Sequence, residues 1–585
     1  MMNSFRLILT TLLLGLLPVA ISAQINPQDV TITRDQWGVP HIHGKTDADA
    51  AYGLAWAAAE DNFYDIQLNM LMARARQGEV LGKDGAIIDF AIQMLRVREM
   101  VAEKYEADVS PKFKKYLEGY CQGMNTYAEQ NKKEVLLKNV FPVTPQDVLA
   151  GYVMSLVLME GVHFHFINIL EGRAGAPTPY SLRGSNGFAF NSKKTADGQV
   201  YLVNNSHQPL DGPTAWYEAH MMSDEGLNIL GGLFPGGTSV FAGTNPDLGW
   251  MHTVNLPDLV DVYHLKMNPD KKLSYKYDGE WKDLKQYKAK MKVKVGPIKI
   301  RAKKKSWWSV HGPVLRHKKE YYALRFPAIM TIKAAEQWFE MGKSSNFTEF
   351  HNTLQMGGLA SLNVIYADRQ DTIFYIDNGL YPMRKPGYDW LGLLPGDTSA
   401  VVWDSFHPID DIPQVLNPAS GYVFNTNNSP WNATGPEDNL NKADYDSTLF
   451  NYPVGNNRSI RVTEIMADID EITWEEMLEL KYDRKYPDSM YVFFLANMNC
   501  IFNLAPDDYP EIKQELIELK AWDKQNTTDN EQSALFIKTF DFLFADAIKT
   551  NRFALPTTYP VQHYVDAIQK AGKYMRRHFG SITVP

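Results

Sequence analysis

Two short alternating runs, Gly187–Phe190, led into by Ser185, and Gln199–Asn204, flank the turn Ala196-Asp197-Gly198. Period-two alternation around an Asp-Gly turn predicts a β-hairpin. The hairpin places Ser185 at the start of one strand and His207 just beyond the end of the other, at the same edge. Upstream the period changes. Asp47–Gly78 carries Leu54, Ala58, Phe63, Ile66, Met70 and Ala73 near helical spacing and reads as one long helix. Met94–Tyr127 and Pro145–Leu170 read as further helices, with Pro142 and Pro145 marking the break. Downstream, Ala215–Met222, Leu227–Leu233, Ser239–Ala242 and Trp250–Asn255 read as short strands, and Arg461–Leu480 as helix. From Leu495 onward the pattern is largely helical. Lys285–Trp308 alternates lysine against apolar residues around Gly296-Pro297, which predicts two strands with one basic, wet face. A solvated hairpin is preferred there over a polyanion-binding arm.

The N-terminus follows a different pattern. Arg6 precedes the apolar run Leu7–Ile21, and Ser22-Ala23 follows. A basic start, an apolar core of about 15 residues and a small-residue exit read as a secretory signal spanning 1–23. A spanning helix needs about 20 apolar residues, so export to the periplasm or beyond is expected, with no membrane contact after signal removal. With 585 residues the chain exceeds what one small core needs. A formal charge of −9 over this length gives no case for a nucleic-acid partner. Cys121 and Cys500 are the only cysteines, which leaves no disulfide framework and no cysteine zinc site; the sequence does not decide whether they pair.

Ser185 raises the question of what could activate it. The nucleophile elbow of α/β-hydrolases needs glycine two residues to either side of the serine; Gly187 fits, but Arg183 occupies the other place. The remaining route makes Ser185 a chain terminus whose own α-amine, with an unperturbed pKa of about 7.7–8.0, serves as base. An ordinary hairpin serine is the plain alternative. A second alternative is a metallohydrolase using His41 and His43 on one strand face, although no further ligand cluster lies nearby.

The segments GSNGFAF, YLVNNSHQPL and WYEAHM resemble the first β-chain segment of the penicillin acylase family of N-terminal-nucleophile hydrolases. The likeness runs from Gln36-Trp37-Gly38-Val39-Pro40-His41 to about Pro585 and includes AAYGLAWAAAEDNFYDIQ, similar to the family's first α-chain helix. The resemblance implies an α+β fold: the four-layer αββα sandwich of N-terminal-nucleophile hydrolases, with a helical α-chain. It also implies self-cleavage at Gly184–Ser185 into an α-chain, 24–184, and a β-chain, 185–585. The product would be an α/β heterodimer that hydrolyses a small-molecule N-acyl amide through an acyl-enzyme.

Site residues follow from the same resemblance. Ser185 matches the nucleophile, and His207 a residue that orients it. Val254, in GWMHTVN, matches the backbone oxyanion donor, and Asn427, in NTNNSP, the side-chain donor. Arg461, in RVTEI, matches an arginine supporting that asparagine and the free amine. Asp258 and Asp261 match two ligands of a structural calcium, with Asp438 at the spacing of a third and Glu160 or Glu171 as α-chain candidates. No organic cofactor is implied. The helix segment Met159–Ile167 would wall the acyl pocket or fill core. Relatives usually continue beyond the position of Pro585 with a further β-rich segment, so the β-chain reads as shortened at its C-terminus. His207 and HTVN lean toward acyl-homoserine lactones or other N-acyl amides over phenylacetyl β-lactams. A non-catalytic exported relative that only binds acyl ligands is the remaining alternative.

Overall fold

A computed structural model describes residues 24–176, 184–212, 214–450, 455–492, 494–550 and 557–585. The 1–23 signal segment and the residues just before Gly184, Arg183 among them, lie outside this set. Strand Ser185–Phe190 sits in the middle of a three-stranded antiparallel sheet, between Tyr422–Asn425 and Tyr201–Ser206. Ser185 pairs with Ser206, so the two strands form the expected hairpin with His207 at the Ser185 edge, although the second strand is Tyr201–Ser206 rather than Gln199–Asn204 and the Asp-Gly turn lies within the longer connection 191–200.

This small sheet packs on a nine-stranded sheet that includes Tyr217–Ser223, Asn228–Leu233, Leu248–Thr253 and Asn363–Asp368. The two approach closely at Gly187. A Cβ there would lie 1.9 Å from Met251 Sδ and 2.6 Å from Ile365 Cδ1, so any side chain at this position would have to displace those two buried residues between the sheets. Helices Asp47–Ala73, Pro111–Gln130 and Pro145–Met159 cover the outer face of the large sheet. Asn457–Ala467 and Trp474–Tyr482 cover the small one, where Val462, Met466, Met477 and Leu480 pack on Phe188, Phe190 and Phe424. The layers therefore run helix, sheet, sheet, helix.

Local chemistry explains the element ends. Thr46 and Asp49 form a capping box that starts the first long helix, which ends at Ala73 rather than running on to Gly78. The stretch predicted as helix over Met94–Tyr127 breaks at Ser110-Pro111, where Ser110 caps Pro111–Gln130. Pro145–Leu170 also splits, because Gly161 takes a left-handed φ of +71° between Pro145–Met159 and Val162–Leu170. Ser239–Ala242 is not a strand; the pairing residues are Ala242–Thr244. The C-terminal helices Lys513–Ala521, Ser533–Lys549 and Val561–Phe579 share a core of their own, including Leu516, Phe536, Tyr564 and Ile568. Among the described residues no single helix is long and apolar enough to cross a membrane.

Candidate active site

Ser185 is buried at the end of its strand, and its backbone N–H donates to Asn427 Oδ1 at 2.7 Å. On the other side of the Gly184–Ser185 bond, the Gly184 carbonyl accepts the His207 N–H at 3.0 Å. The peptide bond is thus held from both ends. Gly184 itself is a close-packing position: a Cβ would lie 2.5 Å from Arg458 Nη2 and 3.0 Å from Asn427 Oδ1.

Asn427 stands in the left-handed region, with φ +66°, which asparagine tolerates better than most residues. A polar lattice fixes it there. Asn425 Oδ1 accepts the Asn427 N–H at 2.7 Å and the Thr253 hydroxyl at 2.6 Å, while Asn428 Oδ1 accepts the Thr426 N–H at 2.7 Å. The Asn427 amide group donates one hydrogen to the Val254 carbonyl at 2.7 Å. A carboxamide nitrogen carries two hydrogens, so the second remains for another acceptor. Val254 follows strand Leu248–Thr253, and the asparagine loop follows strand Tyr422–Asn425, so the two sheets bring these residues together.

Arg461 does not take part in this cluster. Its guanidinium pairs with Asp483 at 2.8 Å and Glu464 at 3.3 Å. Arg458, three residues earlier, takes the place expected for it. Arg458 donates to Asn427 Oδ1 at 2.8 Å, to the Ser185 carbonyl at 2.7 Å and to Asn186 Oδ1 at 2.6 Å. Asn456 sets this geometry: it caps the helix through Arg458 and Ser459 N–H and donates from Nδ2 to the Thr426 carbonyl at 2.9 Å. Burial brings the Arg458 guanidinium down to about 10, so it stays charged at neutral pH. Among the described residues it has no carboxylate partner. The positive charge is left to act on Ser185 and Asn427. Burial, then Arg458, lowers the His207 pKa, and the imidazole is neutral at pH 7.

A cavity of about 1350 Å³ opens on Ser185, His207 and Val254. Helix Val162–Leu170 walls it with His163, Phe164, His165 and Ile167, which resolves the choice between pocket and core in favour of pocket. Phe234, Trp338, Trp390 and, from a C-terminal helix, Phe544 and Ile548 complete an apolar lining. Glu160 also lines it. Burial pushes this carboxyl up to about 8, only partly opposed by the Ala328 N–H at 3.2 Å. Burial likewise lowers His163, and His165 to about 4. At pH 7 all three groups are therefore predominantly neutral.

The acidic residues matched to a calcium site do not converge. Asp258 and Asp261 both pair with Arg384, at 3.3 and 2.8 Å, and Asp261 also accepts Trp403 Nε1 at 2.5 Å. The Arg384 side chain is only 1% exposed. A guanidinium of the chain thus stands where those two carboxylates face, and its charge opposes a second cation there. Asp438 serves another turn, accepting the Ser420 N–H at 2.6 Å, and Glu171 pairs with Arg173. These residues do not fit a calcium site. Among the described residues no three His, Cys, Asp or Glu side chains are grouped to hold a metal. His41 meets His220 at 2.9 Å and His43 meets Asp224 at 3.1 Å, so this pair is split between separate partners. Cys121 and Cys500 are both free thiols.

The four layers, with a serine strand at their centre, are those of the N-terminal-nucleophile hydrolases. The fold is shared with the thermostable penicillin G acylase from Alcaligenes faecalis, at a TM-score of 0.54 and 20% identity over 68% of this chain and 81% of that one. A family model for penicillin amidase matches residues 29–577, and the chain belongs to that family. Among its relatives, the acyl-homoserine lactone acylase PvdQ of Pseudomonas fluorescens is 23% identical over 70% of this chain and 60% of its own length. The penicillin G acylase of Escherichia coli is 23% identical over 87% of this chain and 71% of its own. The chain spans about 60% of the length of the acyl-homoserine lactone acylases it matches.

Proposed function

We propose that this chain is an N-acyl amide hydrolase whose nucleophile, Ser185, becomes an N-terminal residue when the Gly184–Ser185 bond cleaves itself. The observation that carries this reading is the placement of Ser185 N against Asn427 Oδ1 and beside Arg458. Cleavage would begin with Ser185 Oγ adding to the Gly184 carbonyl carbon. The His207 N–H already donates to that carbonyl oxygen and would stabilise the charge it gains. Expulsion of the Ser185 nitrogen, which takes up the proton lost from Oγ, frees the α-amine and leaves an ester, and water hydrolyses that ester to a Gly184 carboxylate and the free Ser185 hydroxyl.

In turnover the free amine accepts the Ser185 hydroxyl proton as Oγ attacks the substrate carbonyl. The proton then passes to the leaving amine, and water releases the acyl group by the same route in reverse. Arg458 supports this base, since a nearby positive charge disfavours the protonated amine. The second Asn427 Nδ2 hydrogen and the Val254 N–H are the oxyanion donors in this scheme. Arg458 replaces Arg461 as the supporting arginine.

The cavity argues for the substrate class. Its neutral Glu160, His163 and His165 and its aromatic walls favour an uncharged, largely apolar acyl chain. Together with the named relatives, this favours a fatty-acyl amide such as an acyl-homoserine lactone over a charged acyl group. The basic and apolar N-terminal segment supports export to the periplasm or beyond. Amine release from a long-chain acyl-homoserine lactone, compared with a phenylacetyl amide, tests the assignment; a clear preference for phenylacetyl would contradict it.

A further inference from the structure

The basic hairpin seen in the sequence pattern is an unusual object in three dimensions. Strands Lys285–Val295 and Ile298–Trp308 pair along their whole length. Only Trp307 and Trp308 continue the pairing to the next strand of their sheet, so the hairpin projects beyond it. The register places Lys288 opposite Lys305, Lys290 opposite Lys303, Lys292 opposite Arg301 and Lys294 opposite Lys299. All eight lie on one face, because residues two apart in a strand share a side. Like charges directly opposite one another are destabilising, and a solvated hairpin needs only some of them.

Residues 285–308 contain ten Lys or Arg and no Asp or Glu, in a chain whose net charge is −9. An acid facing this ladder comes from a neighbouring helix. Glu79 meets Lys299 at 3.2 Å and Lys292 at 3.9 Å. Among the described residues Lys288, Lys290, Lys294, Arg301, Lys303 and Lys305 form no ion pair.

The tip is apolar. Val295, Ile298 and Ile300 are 50%, 60% and 48% exposed, although they occupy the hairpin's other face, whose base buries Ala289 and Met291. Leu81, also exposed, sits beside the tip, since a Cβ on Gly82 would lie 3.0 Å from the Lys294 carbonyl. At the turn the two faces meet, with Lys294 and Lys299 on one side and Val295 and Ile298 on the other, so a hairpin approaching end-on presents cations and aliphatic groups together, matching an anionic bilayer surface with acyl chains below a layer of negative headgroups. A soluble polyanion would use the lysines and leave the aliphatic tip without a role.

We propose that this hairpin is a docking element that meets an anionic phospholipid bilayer end-on, with Val295, Ile298 and Ile300 entering the headgroup–acyl boundary and the cations nearest the turn, Lys294, Lys299 and Arg301, at the level of the headgroups. This revises the expectation of no membrane contact after signal removal, and it does not depend on Ser185 chemistry. The test uses the full-length mature chain with vesicles of phosphatidylcholine alone or mixed with phosphatidylglycerol. The wild-type protein should sediment with the mixed vesicles and not with phosphatidylcholine, and added salt should release it.

Two variants separate the contributions, each checked for an unchanged thermal melt. Replacing Val295, Ile298 and Ile300 by serine should weaken vesicle binding by on the order of tenfold or more while leaving retention on heparin unchanged. Lys294→Gln with Arg301→Gln should weaken both, by about fivefold per cation at the bilayer. Equal partition to both vesicle types would overturn the proposal. So would a serine-tip variant that binds as wild type, or retention on heparin without vesicle binding, which would assign the ladder to a soluble polyanion.

Discussion

Asn427 Oδ1 accepts the Ser185 N–H at 2.7 Å across 242 residues of chain. The same oxygen accepts Arg458 at 2.8 Å, and the same side chain donates to the Val254 carbonyl. One carboxamide therefore ties Ser185, Arg458 and Val254 into a single unit. Asn427→Ala should lower turnover of the cleaved enzyme by about 10²–10³, the usual cost of one oxyanion donor, with KM changing little. Steady-state kinetics on an uncharged N-acyl amide checks it. A variant with near-native kcat removes Asn427 from the site.

Arg458 and Arg461 should separate cleanly. If Arg458 holds the free amine unprotonated, Arg458→Gln should cost at least tenfold in turnover and move the acid limb of the pH–rate profile to higher pH. The sign follows because activity needs the neutral amine, and removing a nearby positive charge raises the amine's pKa. Arg461→Gln loses a partly exposed ion pair with Asp483, worth about 0–1 kcal/mol, and should leave the profile in place. Full pH profiles of both variants decide between the two arginines.

This pair also shows how far the sequence was legible. The two strands were readable from their apolar runs, but the Asp-Gly turn lies inside the longer connection 191–200 and does not set the register, which pairs Ser185 with Ser206. Asn427 came only from the family resemblance of NTNNSP, because locally it looks like any turn asparagine. Arg458 was missed because two arginines three apart lie on one helix, and only the contact of cap residue Asn456 with Thr426 decides which one reaches Ser185. Asp258 and Asp261 misled for a similar reason. Their partner Arg384 lies 126 and 123 residues away, and no local spacing announces it.

Arg384 gives the third prediction. Removing one member of a buried ion pair strands the other, at about 3–5 kcal/mol. Arg384→Ala should lose that much stability in urea unfolding, because Asp261 is buried with it. A chelator should leave the wild-type melting temperature unchanged. A fall on chelation, restored by calcium, would place a cation in the protein after all.

Glu160 supplies a pH dependence. Its carboxyl titrates near 8 when folded, against 4.5 as the reference. Between those values the folded chain holds a proton that the unfolded chain has released, so stability falls as pH rises through this window. Glu160→Gln should abolish that part of the slope and be relatively more stable at pH 8 than at pH 5, read by thermal melts across the range. Above about pH 8 the ionised carboxylate should also raise KM for apolar acyl chains in the wild type only. Identical wild-type and variant slopes would contradict the assignment.

The catalytic account rests on the Gly184–Ser185 bond breaking. N-terminal sequencing of the purified wild-type protein tests this most directly, with Ser185→Ala beside it. The account predicts two wild-type fragments, the larger beginning at Ser185, and a single uncut, inactive Ser185→Ala chain. A large fragment beginning elsewhere, or an uncut Ser185→Ala chain with full amidase activity, would contradict it.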